Sequence, residues 1–127
     1  MKPESKFWQQ VKKNTPKIKW TRLESWASFG VPDLLGYHDS CGFFMVELKV
    51  AKGNKIHLSP HQIMFHTTMT KRNFILVKTA SPPSAILYKS SAIHELRTSL
   101  RDAKIAAQDD WAAIQEALIN YGKLTNS

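Results

Sequence analysis

The stretch FFMVELKV (43–50) places a carboxylate and an ammonium group inside an otherwise apolar segment of strand length. Because strand side chains alternate between faces, Glu47 and Lys49 share one face with Phe43 and Met45. A buried charge without a partner is strongly destabilising. The segment therefore predicts a site in which both charges are paired.

Acidic side chains are scarce around this strand, so each one is a candidate ligand. Between residues 23 and 93 there are four, and Asp39 falls in a predicted turn. Asp33 precedes the first strand of a predicted β-hairpin and Glu47 lies late in the second, so antiparallel pairing brings the two carboxylates together. Two such carboxylates suit Mg²⁺ or Mn²⁺, which promote phosphodiester hydrolysis. Lys49 would position or deprotonate the attacking water, or neutralise charge in the transition state.

The remaining sequence supplies the elements that must position these side chains. Ser59-Pro60-His61-Gln62 is a helix start with the pattern of a capping box. Together the patterns predict one mixed α/β domain over residues 1–127. The expected elements are a helix over 4–13, an ambiguous segment over 18–29, the hairpin formed by 34–37 and 43–50, a helix from 59 to about 71, strands at 74–78 and 85–88, and helices over 92–107 and 110–121, the last ended by Gly122.

Composition limits the class of protein and its partners. The chain has 127 residues, a single cysteine (Cys41), no apolar run long enough to span a membrane and no secretory signal at its start. We therefore expect a cytoplasmic protein without a membrane partner. The net charge is +8, and residues 1–22 carry seven basic side chains against one acidic one. This segment predicts binding to a polyanion, and the alternative is a solubilising surface.

The ordered set of motifs resembles the PD-(D/E)xK nuclease superfamily. It is similar to the VRR-NUC and archaeal Holliday-junction-resolvase-like branch, which includes compact phage-encoded nucleases. The resemblance covers about residues 5–80. The motifs that carry it are Arg22-Leu23-Glu24, Gly30-Val31-Pro32-Asp33, Glu47-Leu48-Lys49 and Gln62.

This resemblance implies a restriction-endonuclease-like fold, with a central mixed sheet between helices, a motif core over about 20–80 and C-terminal helices over about 92–122. It implies Mg²⁺-dependent DNA hydrolysis, with Mn²⁺ as a substitute. Asp33 and Glu47 would bind the metal with the backbone carbonyl of Leu48, and Glu24 would be an additional acidic ligand. Lys49 would be the catalytic lysine and Gln62 a helper near the metal or the scissile phosphate.

A more specific expectation is that the substrate is branched DNA, such as a Holliday junction. Resolving a junction takes two cuts related by two-fold symmetry, so this form predicts a homodimer, acting in the host cytoplasm if the chain is phage-encoded. The basic side chains expected to contact DNA are Lys12, Lys13, Lys17, Lys19, Arg22, Lys52, Lys55, His57 and His61.

Other interpretations compete with this one. The whole chain is alternatively a non-catalytic nucleic-acid-binding module of the same fold, or a protein-interaction domain that uses its C-terminal helices. Gln62 is explained by the helix cap alone, and Glu24 by a surface helix. The spacing of His57, His61 and His66 does not follow a standard zinc pattern.

Overall fold

A six-stranded mixed β-sheet flanked by helices forms the body of the protein. The computed structural model describes residues 2–23 and 29–124, and a mixed α/β fold is confirmed for them. Within these ranges no helix is both long enough and apolar enough to cross a membrane. The elements are α1 (Pro3–Asn14), β1 (Lys19–Arg22), β2 (Leu34–His38), β3 (Gly42–Val50), α2 (Pro60–Thr68), β4 (Asn73–Ala80), β5 (Pro83–Lys89), α3 (Ile93–Thr98), β6 (Ala107–Gln108) and α4 (Trp111–Leu124).

The strands lie in the sheet in chain order, from β1 to β6. Neighbouring strands are antiparallel except for β3 and β4, which are parallel and are joined through α2. A parallel connection needs such a crossover, usually a helix. The predicted hairpin of β2 and β3 is confirmed, with Leu34 opposite Val46. Glu47 therefore lies on an interior strand, opposite Ile75 of β4.

Each face of the sheet has its own core. On one face α1 and α4 cover β3, where Phe44, Val46 and Leu48 are at most 3% exposed. On the other face α3 packs over Ile75 and its neighbours on β4 and β5. The predicted alternation along β3 is confirmed, so Glu47 projects from the face opposite α1 and α4.

The start of α2 has the predicted capping box. The Ser59 hydroxyl accepts a hydrogen bond from the Gln62 N–H at 3.1 Å, and Gln62 Oε1 accepts one from the Ser59 N–H at 3.0 Å. The helix ends at Thr68 rather than near residue 71. After the helix, Arg72 has a φ of +58°, and the side-chain amide of Asn73 donates a hydrogen bond to the Met69 carbonyl at 2.7 Å.

Two predictions for the C-terminal part are wrong. Residues 92–107 do not form one helix, because α3 ends at Thr98 and Leu100 and Ala103 turn back into the second core. Residue Ala107 pairs with Leu87 of β5, and this tertiary pairing overrides helix propensity. Helix α4 continues past Gly122 to residue 124.

The ambiguous segment 18–29 contains β1 at residues 19–22. Glu24 and Trp26 lie outside the described residues.

Candidate active site

Asp33 and Glu47 meet where β2 begins and β3 approaches its end. The register that pairs Leu34 with Val46 sets these two residues opposite each other. Asp33 Oδ2 accepts a hydrogen bond from the Leu48 N–H at 2.8 Å, which holds the Asp33 carboxylate against β3. The sequence prediction that the two carboxylates converge agrees with this geometry, and the prediction that they bind metal stays a prediction.

The Glu47 carboxyl group is buried in a manner that favours its neutral form. It is 2% exposed, its Oε2 accepts a hydrogen bond from Gln62 Nε2 at 3.4 Å, and its Oε1 has no hydrogen-bond partner among the described residues. Burial, followed by the hydrogen bond and charge of Asp33, raises the pKa of Glu47 to about 10, although the Lys49 ammonium acts in the opposite direction. Without a cation, the Glu47 carboxyl group therefore keeps its proton at neutral pH.

Gln62 connects the helix cap to the two ionisable residues of β3, Glu47 and Lys49. Its Oε1 accepts a hydrogen bond from Lys49 Nζ at 2.9 Å, in addition to the one from the Ser59 N–H. Its Nε2 is the group that donates to Glu47. The sequence analysis left two roles open for Gln62, the helix cap and the site. Its side chain contacts the cap residue Ser59 as well as Lys49 and Glu47 of the site.

Gly30 lets the loop before Asp33 pack directly on α2. Its φ of +82° lies in the left-handed region that favours glycine. A Cβ at this position would be only 2.3 Å from the carbonyl oxygen of His61 in the first turn of α2. The glycine of the Gly-Val-Pro-Asp motif thus brings the Asp33 loop and the helix that carries Gln62 into contact.

A further carboxylate, Glu4, lies at the rim of the site and was missed by the sequence analysis. Its side chain is exposed, and the surrounding protein still removes enough water to raise the pKa of Glu4, as does the charge of Asp33. Lys49 and Arg22 act on it in the opposite direction. A signal was present, because Glu4 extends the stripe of Phe7 and its buried neighbours on α1 by one helical turn.

His66 is a second residue that the sequence analysis did not place in the site. It is fully buried one turn after Gln62 on α2, and its Nδ1 lies 2.6 Å from the Ser90 hydroxyl oxygen. Burial and the nearby charge of Lys49 lower the pKa of His66 to about 4, so the ring is neutral at physiological pH. The i, i+4 spacing from Gln62 was the available signal.

A groove beside the carboxylate pair, here called the basic groove, has a volume of about 390 Å³. Of the predicted DNA contacts, Lys52 and His57 line it, and Arg22 lies opposite Leu34, next to Asp33. The residues that line it are Lys2, Pro3, Glu4, Lys49, Val50, Lys52 and His57.

Other predicted DNA contacts lie elsewhere. Lys12 and Lys13 are in the last turn of α1, at the end remote from Glu4. Lys17 forms an ion pair with Glu116 at 3.6 Å. Lys19 pairs with residue 37, at the far end of β2 from Asp33. His61 is exposed at the start of α2. Lys55 does not line the basic groove itself but forms a bridge with Lys52, which does.

The donors at this site fit a divalent cation with a preference for oxygen. Asp33 and Glu47 supply two adjacent carboxylates, and one Glu47 oxygen is buried without a partner among the described residues. Within residues 2–23 and 29–124, no three side chains of histidine, cysteine, aspartate or glutamate converge as a complete ligand set. A cation here would be held by the pair, with backbone or water oxygens completing its shell.

Comparisons with known proteins add no family to this description. No protein-family model, curated protein or solved structure matches the chain. A function must therefore be argued from the chemistry of the site.

Proposed function

We propose that this protein is a metal-dependent nuclease that hydrolyses DNA phosphodiester bonds. The observation that carries the proposal is the Asp33–Glu47 pair. Burying the Glu47 carboxyl group, which has a pKa of about 10, beside another acid destabilises the fold unless a cation binds there. A hydrophobic residue would fill the same position on β3 at lower cost. The proposal also accounts for Lys49, which lies two residues further along the same face.

Each side chain has a role in the proposed reaction. Asp33 and Glu47 would hold Mg²⁺, which supplies a water of lowered pKa and stabilises charge on the phosphate. As an ammonium group, Lys49 would bind a phosphate oxygen; only as a neutral amine could it take a proton from the attacking water. Gln62 fixes the Lys49 ammonium through its 2.9 Å hydrogen bond, so the lysine is oriented before substrate arrives.

The architecture is compatible with a restriction-endonuclease-like fold, since it has a mixed sheet flanked by helices, with Glu47 and Lys49 on the interior strand β3. We propose this fold together with the PD-(D/E)xK assignment of Asp33, Glu47 and Lys49. Branched DNA is the preferred substrate in the junction-resolving form of the proposal.

The test is cleavage of supercoiled plasmid and of four-way junctions in Mg²⁺, Mn²⁺ and EDTA. We expect cutting in either metal and none in EDTA. Glu47→Ala and Lys49→Met should each lose activity by several orders of magnitude, while the purified variants keep the circular dichroism spectrum of the wild type. The faster substrate decides between a general endonuclease and a resolvase.

A non-catalytic nucleic-acid-binding module is the competing function. It predicts that plasmid and junction are bound but stay intact in both metals. Cleavage that persists in Glu47→Ala at the wild-type rate would contradict the proposed site in a different way, because it would assign the activity to other residues or to a contaminant.

A further inference from the structure

A tight turn begins at Lys52, which lines the basic groove, and ends at Lys55. In Lys52-Gly53-Asn54-Lys55, the Lys52 N–H donates to the Lys55 carbonyl at 2.8 Å and the Lys55 N–H returns a bond to the Lys52 carbonyl at 3.2 Å. Gly53 has a φ of +60°, as two-residue turns often require. We call residues 52–55 the lysine turn.

The lysine turn is fixed to the body of the protein on both sides. The Asn54 carbonyl accepts a hydrogen bond from the Leu100 N–H at 2.9 Å, which ties the tip of the turn to the segment after α3. Just before the turn, the Ala51 N–H donates to the Lys78 carbonyl at 2.8 Å. The ammonium groups of the turn are therefore presented from a backbone that is held in place.

The groove continues past the lysine turn. A second depression of about 400 Å³ shares Val50, Lys52 and His57 with the basic groove and adds Lys55 and Ile56 to the lining. Together the two depressions make a path that starts at Lys49, beside the carboxylate pair. Lysine side chains line both depressions: Lys2 and Lys49 line only the first, Lys55 only the second, and Lys52 both.

The chemistry of the path favours phosphates over bases. Its lining contains the ammonium groups of four lysines, one imidazole and the Glu4 carboxylate, and the described lining residues include no asparagine, glutamine or large aromatic side chain. Amide and guanidinium groups can each make two hydrogen bonds to one base edge, and aromatic rings stack on bases. Lysine contacts to phosphate position a strand without reading its sequence.

Within the basic segment 1–22, Lys2 lines the basic groove, but the lysines from Lys12 to Lys19 do not. Lys17 is engaged by Glu116 at 3.6 Å, and Lys12 Nζ lies 6.0 Å from the centre of the Trp8 ring. Lys13 is nine residues beyond Glu4 on α1, which is roughly 14 Å along a helix.

We infer that the phosphodiester backbone of DNA follows the basic groove and is gripped by Lys52 and Lys55 of the lysine turn, independently of base sequence. The inference rests on the proposed function and deepens it by naming the binding surface. The charge distribution indicated the whole segment 1–22; of its lysines, Lys2 lines the groove, whereas Lys12, Lys13, Lys17 and Lys19 lie outside it.

The test measures binding of a fluorescent DNA duplex by polarisation in EDTA, over a series of NaCl concentrations, so that no cleavage is needed. In the wild type, log Kd should rise with log salt. Lys52→Ala/Lys55→Ala should weaken binding and reduce the magnitude of that salt slope by about 1.8, since each phosphate contact contributes about 0.9. The matched control is Lys13→Ala/Lys19→Ala, which removes the same charge from two exposed positions outside the groove.

Further measurements distinguish an effect of charge at the lysine turn from an effect of reduced stability. Lys52→Arg/Lys55→Arg should keep the wild-type slope, and thermal unfolding should be alike in all variants. Duplexes of unrelated sequence should bind with equal affinity.

The inference is wrong if Lys13→Ala/Lys19→Ala loses as much affinity for DNA as Lys52→Ala/Lys55→Ala, or if the latter variant binds like the wild type. It is also wrong if affinity depends on base sequence or if the wild type does not bind DNA. These outcomes are separate from failure of the proposed nuclease. If the wild type cuts DNA and the Lys52→Ala/Lys55→Ala variant binds DNA as the wild type does, the proposed nuclease stands and this binding surface is wrong. If the wild type cuts no DNA but its binding is weakened by that variant, the binding surface stands and the nuclease is wrong.

Discussion

At the scale of single residues, the acid–base state of Glu47 is the property with the widest consequences. Its pKa is raised because burial and the adjacent Asp33 disfavour a second negative charge. A divalent cation at the proposed site would reverse that preference, since it would favour the ionised form of Glu47. The protonation state of Glu47 would therefore depend on whether metal is bound.

The raised pKa predicts how stability depends on pH in the metal-free protein. Glu47 keeps its proton up to a pKa of about 10 when folded, against 4.5 as the ordinary value. Its contribution to folding is complete below pH 4.5 and is lost as pH rises towards 10. In EDTA, the free energy of unfolding should thus fall from about pH 7 to about pH 9, a window above the ordinary pKa of histidine. Urea titrations at several pH values measure it.

Glu47→Gln is the matched control for that titration, because it has no proton to release. It should be more stable than the wild type at alkaline pH, and the difference should grow as pH rises. A wild type and a Glu47→Gln variant with parallel pH profiles would show that Glu47 ionises normally in the folded protein.

At the scale of elements, the site depends on the contact between the Asp33 loop and the start of α2. Gly30→Ala would place a Cβ 2.3 Å from the His61 carbonyl oxygen, at a φ of +82° that alanine avoids. We expect a loss of more than about 1 kcal/mol in the free energy of unfolding. Nuclease activity should fall further than stability alone explains, because the Asp33 carboxylate moves away from β3.

The control for this prediction is Gly53→Ala. Its φ of +60° is also positive, and an added Cβ would meet no atom within 4 Å, so it has the backbone strain without the collision. If Gly30→Ala is no more harmful than Gly53→Ala in thermal unfolding and in plasmid cleavage, the packing of the loop on α2 does not position Asp33.

Local sequence patterns were sufficient for part of this architecture. The apolar alternation of β3 and the Ser-Pro-His-Gln helix start were confirmed, and each depends on residues that are close in the chain. The pairing of Asp33 with Glu47 followed from hairpin geometry. Helix α3 was overextended because Leu100 and Ala107 are placed by contacts with distant segments.

The rim of the site was not predictable in the same way. Glu4 comes near Asp33 only because α1 packs across the sheet, a contact between segments nearly thirty residues apart. The sequence set no constraint on that packing angle. The burial of His66 beneath the site likewise depends on Ser90, which follows β5.

At the scale of the whole molecule, net charge and binding surface are distinct. The formal charge of +8 includes lysines at both ends of α1, and Lys17, three residues after α1, is already paired with Glu116. The excess charge attracts a polyanion from any direction. In the binding mode inferred above, the two depressions beside Lys49 would then decide where the polyanion is held.

The junction-resolving form of the proposal makes a prediction about mass. Each chain carries one Asp33–Glu47 pair, and two symmetric cuts need two such pairs. Light scattering should give twice the 14.5 kDa of one chain, alone or with junction DNA added. A mass of one chain under both conditions would contradict the resolvase form and would leave a simple endonuclease intact.

The shared oxygen of Gln62 has a consequence for local motion. Gln62 Oε1 holds the Ser59 amide and the Lys49 ammonium at once, at 3.0 Å and 2.9 Å. When the first turn of α2 frays, the Ser59 amide becomes free to exchange its hydrogen with solvent, and the lysine loses its anchor in the same event. The exchange rate of one backbone amide thus records how often the proposed catalytic lysine is out of place.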